Sequence, residues 1–306
     1  MRALLQIIFI LGILVSCSSA PIMRNHDGTG VRPQSLTDYP VIRKKMALLP
    51  LFNEAPYGHD DLGIVATESL RSELVRTGEF VIDQKGEELF GTSKEIFAGG
   101  GLKLSQMSKK AKTEGINFVL FGRIVHARVR EKSDEIGFVR ETKSFTDSKV
   151  ELRIFDVSSG KEIYNETLLG SADDSNYRFY MNDREEQLTY RQELLRYAVQ
   201  VAIRKAIPKI VQASAKIDWM GRVAKIVGSK IYINAGRSSG LNMGDVLKVL
   251  TEGEDIYDPE TGALLGVSKG EVKGTLEIVE YFGPDGCIAV LNSGGSVAEG
   301  DFVQLY

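Results

Sequence analysis

The first part of the chain alternates short apolar runs with one segment of helical periodicity. Residues 46–52 form an apolar run broken by a proline, which predicts a short buried strand. Apolar residues recur at helical spacing over 62–74, so we expect the acidic pair at 60–61 to cap a helix that Gly78 ends. A further apolar run at 80–82 predicts the next strand, which completes a strand–helix–strand unit.

The following segments predict a loop, a short helix and a strand hairpin. Residues 87–101 contain three consecutive glycines and predict a flexible loop, because they lack the Gly-Lys-Ser/Thr order of a phosphate-binding loop. A short lysine-rich helix is expected at 104–113. Strong strand patterns follow at 117–125 and 150–157, and the second turns back into a hairpin.

Residues 188–211 carry the longest helical pattern in the chain. Their apolar side is broad, which favours docking onto the first domain, with contact to a neighbouring subunit as the alternative. Because proline removes a helical hydrogen bond, Pro208 is expected to end or kink this helix.

The composition changes near residue 216 to valine, isoleucine and glycine. About six short strands separated by glycine turns predict a small barrel-like domain. The expected fold is therefore α+β, with an α/β domain of two or three layers around a mixed sheet at 44–215. An all-β domain follows at 216–306.

The amino-terminal residues indicate secretion. Arg2 precedes an apolar run from Ala3 to Val15, which is shorter than the roughly 20 residues of a membrane-spanning helix. This pattern predicts a cleaved signal, and one interpretation places ordinary cleavage near Ala20.

The residues Leu14-Val15-Ser16-Cys17 resemble a lipobox, the motif of bacterial lipoproteins. The resemblance implies a signal peptide at 1–16, acyl chains on Cys17 and a flexible lipidated linker at 17–43. Lipoproteins kept in the inner membrane tend to carry aspartate after the cysteine, whereas this chain has Ser18. We therefore expect a lipid anchor in the outer membrane with the protein facing the periplasm.

Four stretches of the α/β region carry a second resemblance. They are Ala-Leu-Leu-Pro-Leu-Phe, Ser-Glu-Leu-Val-Arg-Thr-Gly-Glu-Phe, Val-Leu-Phe-Gly-Arg-Ile-Val and Arg-Ile-Phe-Asp-Val-Ser-Ser-Gly-Lys. Their order resembles the periplasmic domain shared by the curli secretion lipoprotein CsgG and the amino-terminal domain of TolB. The resemblance covers about Lys44 to Val211.

CsgG-like channels insert two hairpins into the outer membrane, which makes a translocation channel for secreted polypeptides the alternative function. The matching segments here are 128–149 and 171–183. Charged residues crowd the first, and a charge on the lipid face of a membrane strand costs about 2–4 kcal/mol at the bilayer midplane. This composition speaks against a pore.

The barrel region resembles the carboxy-terminal domain of flagellar assembly protein T. The matching stretches include Ile-Tyr-Ile-Asn-Ala-Gly, Gly-Leu-Asn-Met-Gly-Asp and Glu-Gly-Asp-Phe-Val, spread over 221–306. In that family the module follows a TolB-like domain, so the resemblance implies the same pairing here.

Charge and cysteine content narrow the function classes. The formal net charge of −3 gives no basic excess that would indicate nucleic acid as a partner. If Cys17 is lipidated, Cys287 has no partner in the chain. We interpret Cys287 as a buried apolar residue rather than a reactive thiol, since it lies in a short apolar run.

The remaining reactive side chains predict no catalytic, cofactor or metal site. The histidines are scattered without metal-ligand spacing, and the aspartates of the barrel region lie beside turn residues. The side chains considered were His26, His59, His126, Asp245, Asp258 and Asp301. We therefore predict a non-catalytic outer-membrane lipoprotein that assembles with protein partners of a secretion complex or flagellar basal ring, in which a homo-oligomeric ring is one arrangement.

Overall fold

The computed structural model describes residues 42–136, 139–173, 184–262, 264–268 and 270–306. Residues Pro40–Tyr306 belong to one compact unit. The predicted signal peptide, Cys17 and all but the last two residues of the predicted linker lie outside the described residues, as does 174–183.

A mixed sheet forms the centre of the first part of the chain. Its strands are β1 Lys44–Leu48, β2 Phe52–Asn53, β3 Phe80–Asp83, β4 Phe118–Ile136, β5 Val139–Asp156 and β6 Lys161–Asp173. The strand order is β3-β1-β4-β5-β6, and β2 adds to β4. β1 pairs in parallel with β3 and β4, whereas β4, β5 and β6 pair antiparallel.

Helices cover both faces of this sheet. They are α1 His59–Thr77, α2 Gly86–Phe90, α3 Ser93–Glu114 and α4 Arg184–Ser214. Alternate strand residues supply the two cores, with Leu48 and Leu120 facing α1 and α4, and Leu49 and Phe121 facing α2 and α3. The predicted α/β domain with a mixed sheet is confirmed, with three layers.

The start of α1 differs from the expectation. Gly58, in the left-handed conformation, occupies the N-cap, and no side chain caps the helix there. Asp60 and Asp61 lie inside the first turn. Their negative charge interacts favourably with the helix dipole there, but their side chains do not cap a backbone amide. Gly78 ends the helix as predicted, with φ of 71°.

The flexible loop predicted at 87–101 is wrong. The segment holds α2 and the first turns of α3, which runs through the three glycines. Thr92 caps α3 by accepting the amide of Glu95, and Ile96 and Ala111 are buried against the sheet. Tertiary packing and this cap outweigh the low helix propensity of glycine.

Pro208 does not end α4, which continues to Ser214. Ala202, Ala206, Ile210 and Ala213 place buried side chains on both sides of the proline. Their burial holds the helix together across the missing hydrogen bond. The helix docks on the sheet, as the simpler interpretation expected. None of the described helices has the length and apolar character needed to span a membrane.

The strand predicted at 117–125 is the first part of a longer one. β4 continues to Ile136 and pairs with β5 back to Val139. We call residues 125–136, 139–149 and 169–173 the ribbon. It extends the three antiparallel strands through the charged segment of the chain.

The second part is a closed barrel, as predicted. Its six strands in the described residues are β7 Gly221–Val227, β8 Lys230–Ile233, β9 Val246–Leu250, β12 Val272–Phe282, β13 Gly286–Gly294 and β14 Phe302–Leu305. Around the barrel they follow the order β12-β13-β8-β7-β14-β9. A separate hairpin, β10 Asp255–Tyr257 and β11 Leu264–Val267, joins β9 to β12.

The chain contacts both parts just before β1. Ile42 packs against the barrel core, and the Arg43 amide donates to the Ser239 carbonyl at 2.9 Å. The Asn117 side chain, at the start of β4, donates to the Met220 carbonyl at 2.8 Å. These contacts join the barrel to the centre of the sheet.

Candidate functional site

Cys287 is the one cysteine among the described residues and lies in the barrel core. Burial, and then the nearby carboxylates of Asp285 and Asp245, raise the pKa of its thiol to about 12. The thiol therefore stays protonated at neutral pH and packs as a small apolar group. The interpretation as a buried apolar residue is confirmed, whereas Cys17 lies outside the described residues.

The barrel aspartates bond to their own turns. Asp258 accepts the backbone amides of Glu260 and Thr261 at 2.9 and 2.8 Å. Asp245 accepts the Asn242 amide at 2.7 Å, and Asp301 accepts an amide and the Lys273 ammonium at 2.7 Å. The predicted turn chemistry is confirmed for all three.

The two described histidines lie on different elements. His59 begins α1, and His126 lies on β4. Among the residues that the structure describes, no group of three or more histidine, cysteine, aspartate or glutamate side chains is arranged to hold a metal ion.

A cleft of about 500 Å³ lies between the end of α3 and the barrel. Its charged lining comes from Lys45, Glu114, Arg222 and Glu299. Lys45 pairs with Asp83 at 3.0 Å, and Glu299 accepts the amide of Ile226 at 3.1 Å. These two charged side chains therefore already have partners within the protein.

The two faces of the ribbon differ in how far they are covered by other elements. One face is covered by α4. The other, which we call the open face, lies beyond the first turns of α3, where Ser93 accepts a hydrogen bond from the Gly122 amide at 3.3 Å. A bulge between Ile124 and His126 turns two successive β4 side chains toward it. The side chains of the open face are Val125, His126, Arg128, Arg130, Phe145, Asp147, Lys149, Leu169, Ser171 and Asp173.

The open face combines charged and apolar side chains that are exposed. Leu169 is 59% exposed and Phe145 is 40% exposed. Arg130 forms an ion pair with Asp147. Arg128 and Lys149 are also exposed, and neither has an ion pair within the described part of the chain. The uncompensated charge at the centre of the open face is therefore positive.

A buried carboxylate lies at the root of the open face. Glu151, 7% exposed, accepts Nε–H from Arg123 at 2.7 Å and from Arg153 at 2.8 Å. Although burial opposes its charge, hydrogen bonds from the two arginines hold the pKa of Glu151 below its ordinary value. This ion network therefore joins β4 to β5 where the ribbon begins.

Phe97 of α3 lies between the same two guanidinium groups. Their central carbons are 4.5 and 4.6 Å from its ring centroid, for Arg123 and Arg153 respectively. Edge-to-face contacts with Phe52 and Phe121 hold the ring in place. Sequence patterns alone did not predict this cluster, although arginine and glutamate on the polar side of two predicted strands were a signal for it.

The covered face of the ribbon is built from small residues. Gly170 lies so close to α4 that a methyl group there would meet the Ala198 carbonyl oxygen at 1.8 Å. Thr146 and Ser148 are fully buried beneath α4, and their hydroxyl groups have no hydrogen-bond partner within the described residues. Arg191 of α4 pairs with Glu131 of β4. α4 therefore packs in close contact with the ribbon.

The chain matches no family model and no curated protein. Solved structures with a similar arrangement include hypothetical protein CT253 from Chlamydia trachomatis, at 15% identity and a TM-score of 0.35, covering 56% of this chain and 94% of that one. A minor lipoprotein from Acinetobacter baumannii is 16% identical with a TM-score of 0.32, over 58% of this chain and 96% of that one.

A third is a PelC dodecamer from Paraburkholderia phytofirmans, at 14% identity and a TM-score of 0.27, over 54% of this chain and 88% of that one. At these TM-scores the similarity supports no statement about the function or assembly of this chain, which must rest on its own residues.

Proposed function

We propose that this protein is a non-catalytic lipoprotein of the outer membrane that acts as an assembly or structural component of a cell-envelope machine. Acyl chains on Cys17 hold it to the membrane, with the folded part in the periplasm. The resemblances to CsgG and TolB, and to flagellar assembly protein T, favour a secretion complex or a flagellar basal ring. The open face of the ribbon is the observation that carries this proposal.

The open face supports protein contact because it is a broad sheet surface on which most of the described side chains are exposed. Exposed apolar side chains, Phe145 and Leu169, lie among the cations Arg128 and Lys149, which have no ion pair within the described residues. Exposed apolar groups surrounded by polar ones are typical of protein interaction sites. The network around Glu151 keeps the two strands beneath this surface in fixed register.

The same side chains speak against the alternative, a translocation channel. In a membrane hairpin, one face of each strand must be apolar over about 9–11 residues. Arg128, Arg130 and Lys149 lie on the open face, and Glu131 lies on the opposite face beside Arg191. Neither face of the ribbon therefore suits contact with lipid tails.

Membrane attachment is tested by replacing Cys17 with serine in the full chain. Because each buried methylene of an acyl chain contributes about 0.8 kcal/mol to membrane binding, loss of acylation should move the protein from the membrane to the periplasmic fraction. Unchanged fractionation of the Cys17→Ser protein would contradict the lipid anchor.

Assembly is tested by capture of the acylated chain from native envelopes in mild detergent, followed by mass spectrometry. We expect copurified envelope proteins, and we expect Arg128→Glu to reduce their yield because it reverses a charge on the open face. Lys225→Glu, an exposed charge reversal on the barrel strand β7, is the matched control. Recovery of the chain and lipid alone would contradict the assembly role.

A further inference from the structure

The exposed side of α1 carries a stripe that is both acidic and apolar. Asp61, Ile64, Glu68, Ser72 and Val75 follow one another at intervals of three or four residues, so they lie on one side of the helix. All five are exposed, and Ile64 and Val75 are 62% and 59% exposed. Asp61 and Glu68 have no ion pair within the described residues.

This stripe and the open face of the ribbon are complementary in charge. Among the described residues, the stripe offers two carboxylates without an ion pair, and the open face offers two such cations, Arg128 and Lys149. Both surfaces also carry exposed large apolar side chains, Ile64 and Val75 on one, and Phe145 and Leu169 on the other. Opposite charges beside apolar groups fix the register of a protein contact and exclude unsuitable partners.

The stripe is longer than the open face. From Asp61 to Val75 the helix rises about 21 Å, at about 1.5 Å per residue. From Phe145 to Lys149 the strand spans about 14 Å, at about 3.4 Å per residue. About two-thirds of the stripe can therefore lie along the open face at one time.

The two surfaces lie on opposite sides of the same sheet. α1 packs on the face formed by Leu48, Leu120 and Leu152. The open face continues the other side, where α3 packs against Phe121. One molecule therefore cannot join its own two surfaces, whereas a second copy can use one while offering the other. Such a head-to-tail contact produces a ring when the rotation closes, and a filament when it does not.

We propose that the protein self-associates head to tail, with the outward stripe of α1 in one copy docking on the open face of the ribbon in the next. This proposal deepens the assembly role proposed above, on which it rests, by naming a second copy of this chain as the occupant. Ring closure stabilises the contact, because every copy then makes it twice.

The test measures self-association of the purified, acylated full chain in mild detergent by sedimentation velocity over a range of concentrations. We expect species larger than a monomer. Glu68→Lys and Lys149→Glu should each weaken association by about tenfold or more, because like charges then face one another. The double variant Glu68→Lys with Lys149→Glu restores opposite charges and should recover association.

Two exposed charge reversals outside both surfaces serve as controls. Glu88→Lys on α2 and Lys225→Glu on β7 should leave association unchanged. A monomer at every concentration, unaltered association in both single variants, or a double variant as weak as the singles would each overturn the proposal. Loss of a different envelope protein from the Arg128→Glu capture, without any self-association, would also overturn it while supporting the assembly role.

Discussion

Alternate residues of β5 face opposite sides of the ribbon and differ in chemistry. Thr146 and Ser148 lie beneath α4 with hydroxyls that have no partner among the described residues, whereas Asp147 and Lys149 lie on the open face in contact with solvent. The covered face is thus closely packed with small side chains, and the open face carries charged ones. Burial beneath α4 and exposure to solvent therefore alternate with a period of two along the same strand.

The largest expected effect comes from Gly170, on the covered face. Gly170→Ala places a methyl group against the Ala198 carbonyl of α4, and backbone cannot move aside as a flexible side chain would. Overpacking of this kind should lower the free energy of unfolding by about 3 kcal/mol, measured by chemical denaturation. A Ser171→Ala control on the open face should change it little. Equal stability of the two variants would contradict the close approach of α4.

A smaller loss is expected at the root of the open face. Glu151→Gln removes the buried charge that holds Arg123 and Arg153, and should reduce the free energy of unfolding by about 2 kcal/mol. Glu166→Gln on β6, where the carboxylate is partly exposed and pairs with Lys209, is the control and should cost less than 1 kcal/mol. A loss no larger than in the control would mean that the network is not needed for stability.

The same carboxylate makes stability depend on pH. The folded protein holds the pKa of Glu151 below its ordinary value of 4.5, so the folded state binds this proton less readily than the unfolded state. Its contribution is therefore fully present above about pH 4.5 and decreases as the pH falls through the lowered folded pKa. The stability difference between the native protein and Glu151→Gln should shrink in acid, and a difference independent of pH would contradict this assignment.

Thr146→Val should have an effect of opposite sign. It keeps the shape of the side chain while removing a buried hydroxyl that has no partner among the described residues. We expect a gain of about 1 kcal/mol in the free energy of unfolding. Thr167→Val, at an exposed position of β6, is the matched control for β propensity. A loss of stability at Thr146 beyond the control would reveal a partner for the hydroxyl.

The smallest effect on stability is expected at Lys149. Lys149→Gln removes an exposed charge that forms no ion pair within the described part of the chain, so the free energy of unfolding should change by less than about 0.5 kcal/mol. Self-association should nevertheless weaken. A variant that lost both together would show that the open face also serves the fold.

Local sequence patterns correctly predicted the elements in which the buried positions match the local spacing of apolar residues. The apolar runs predicted β1 and β3, helical spacing predicted α1, and glycine turns predicted the barrel. Local patterns failed at Gly99–Gly101 and Pro208, because burial of neighbouring residues overrides propensity there. They also could not show that the charged segment continues as β4 and β5.

The candidate site was less predictable than the fold. The ion network beneath the open face depends on strand register, which places Arg123 opposite Glu151, a residue 28 positions away in the chain. Alternation within one strand shows which side a residue takes, but not which residue it meets on the next strand. The predicted lipidation at Cys17 lies outside the described residues and stays a prediction.

The contacts just before β1 have a mechanical consequence. Ile42 and Arg43 are held by the barrel, and the chain then enters the sheet between two parallel neighbours, β3 and β4. A force applied along the chain toward Ile42 would therefore load β1 in shear, with the hydrogen bonds on both sides sharing the tension. Shear resists rupture better than peeling, in which bonds break one at a time. Pulling β1 out of the sheet would therefore require its hydrogen bonds to β3 and β4 to break together.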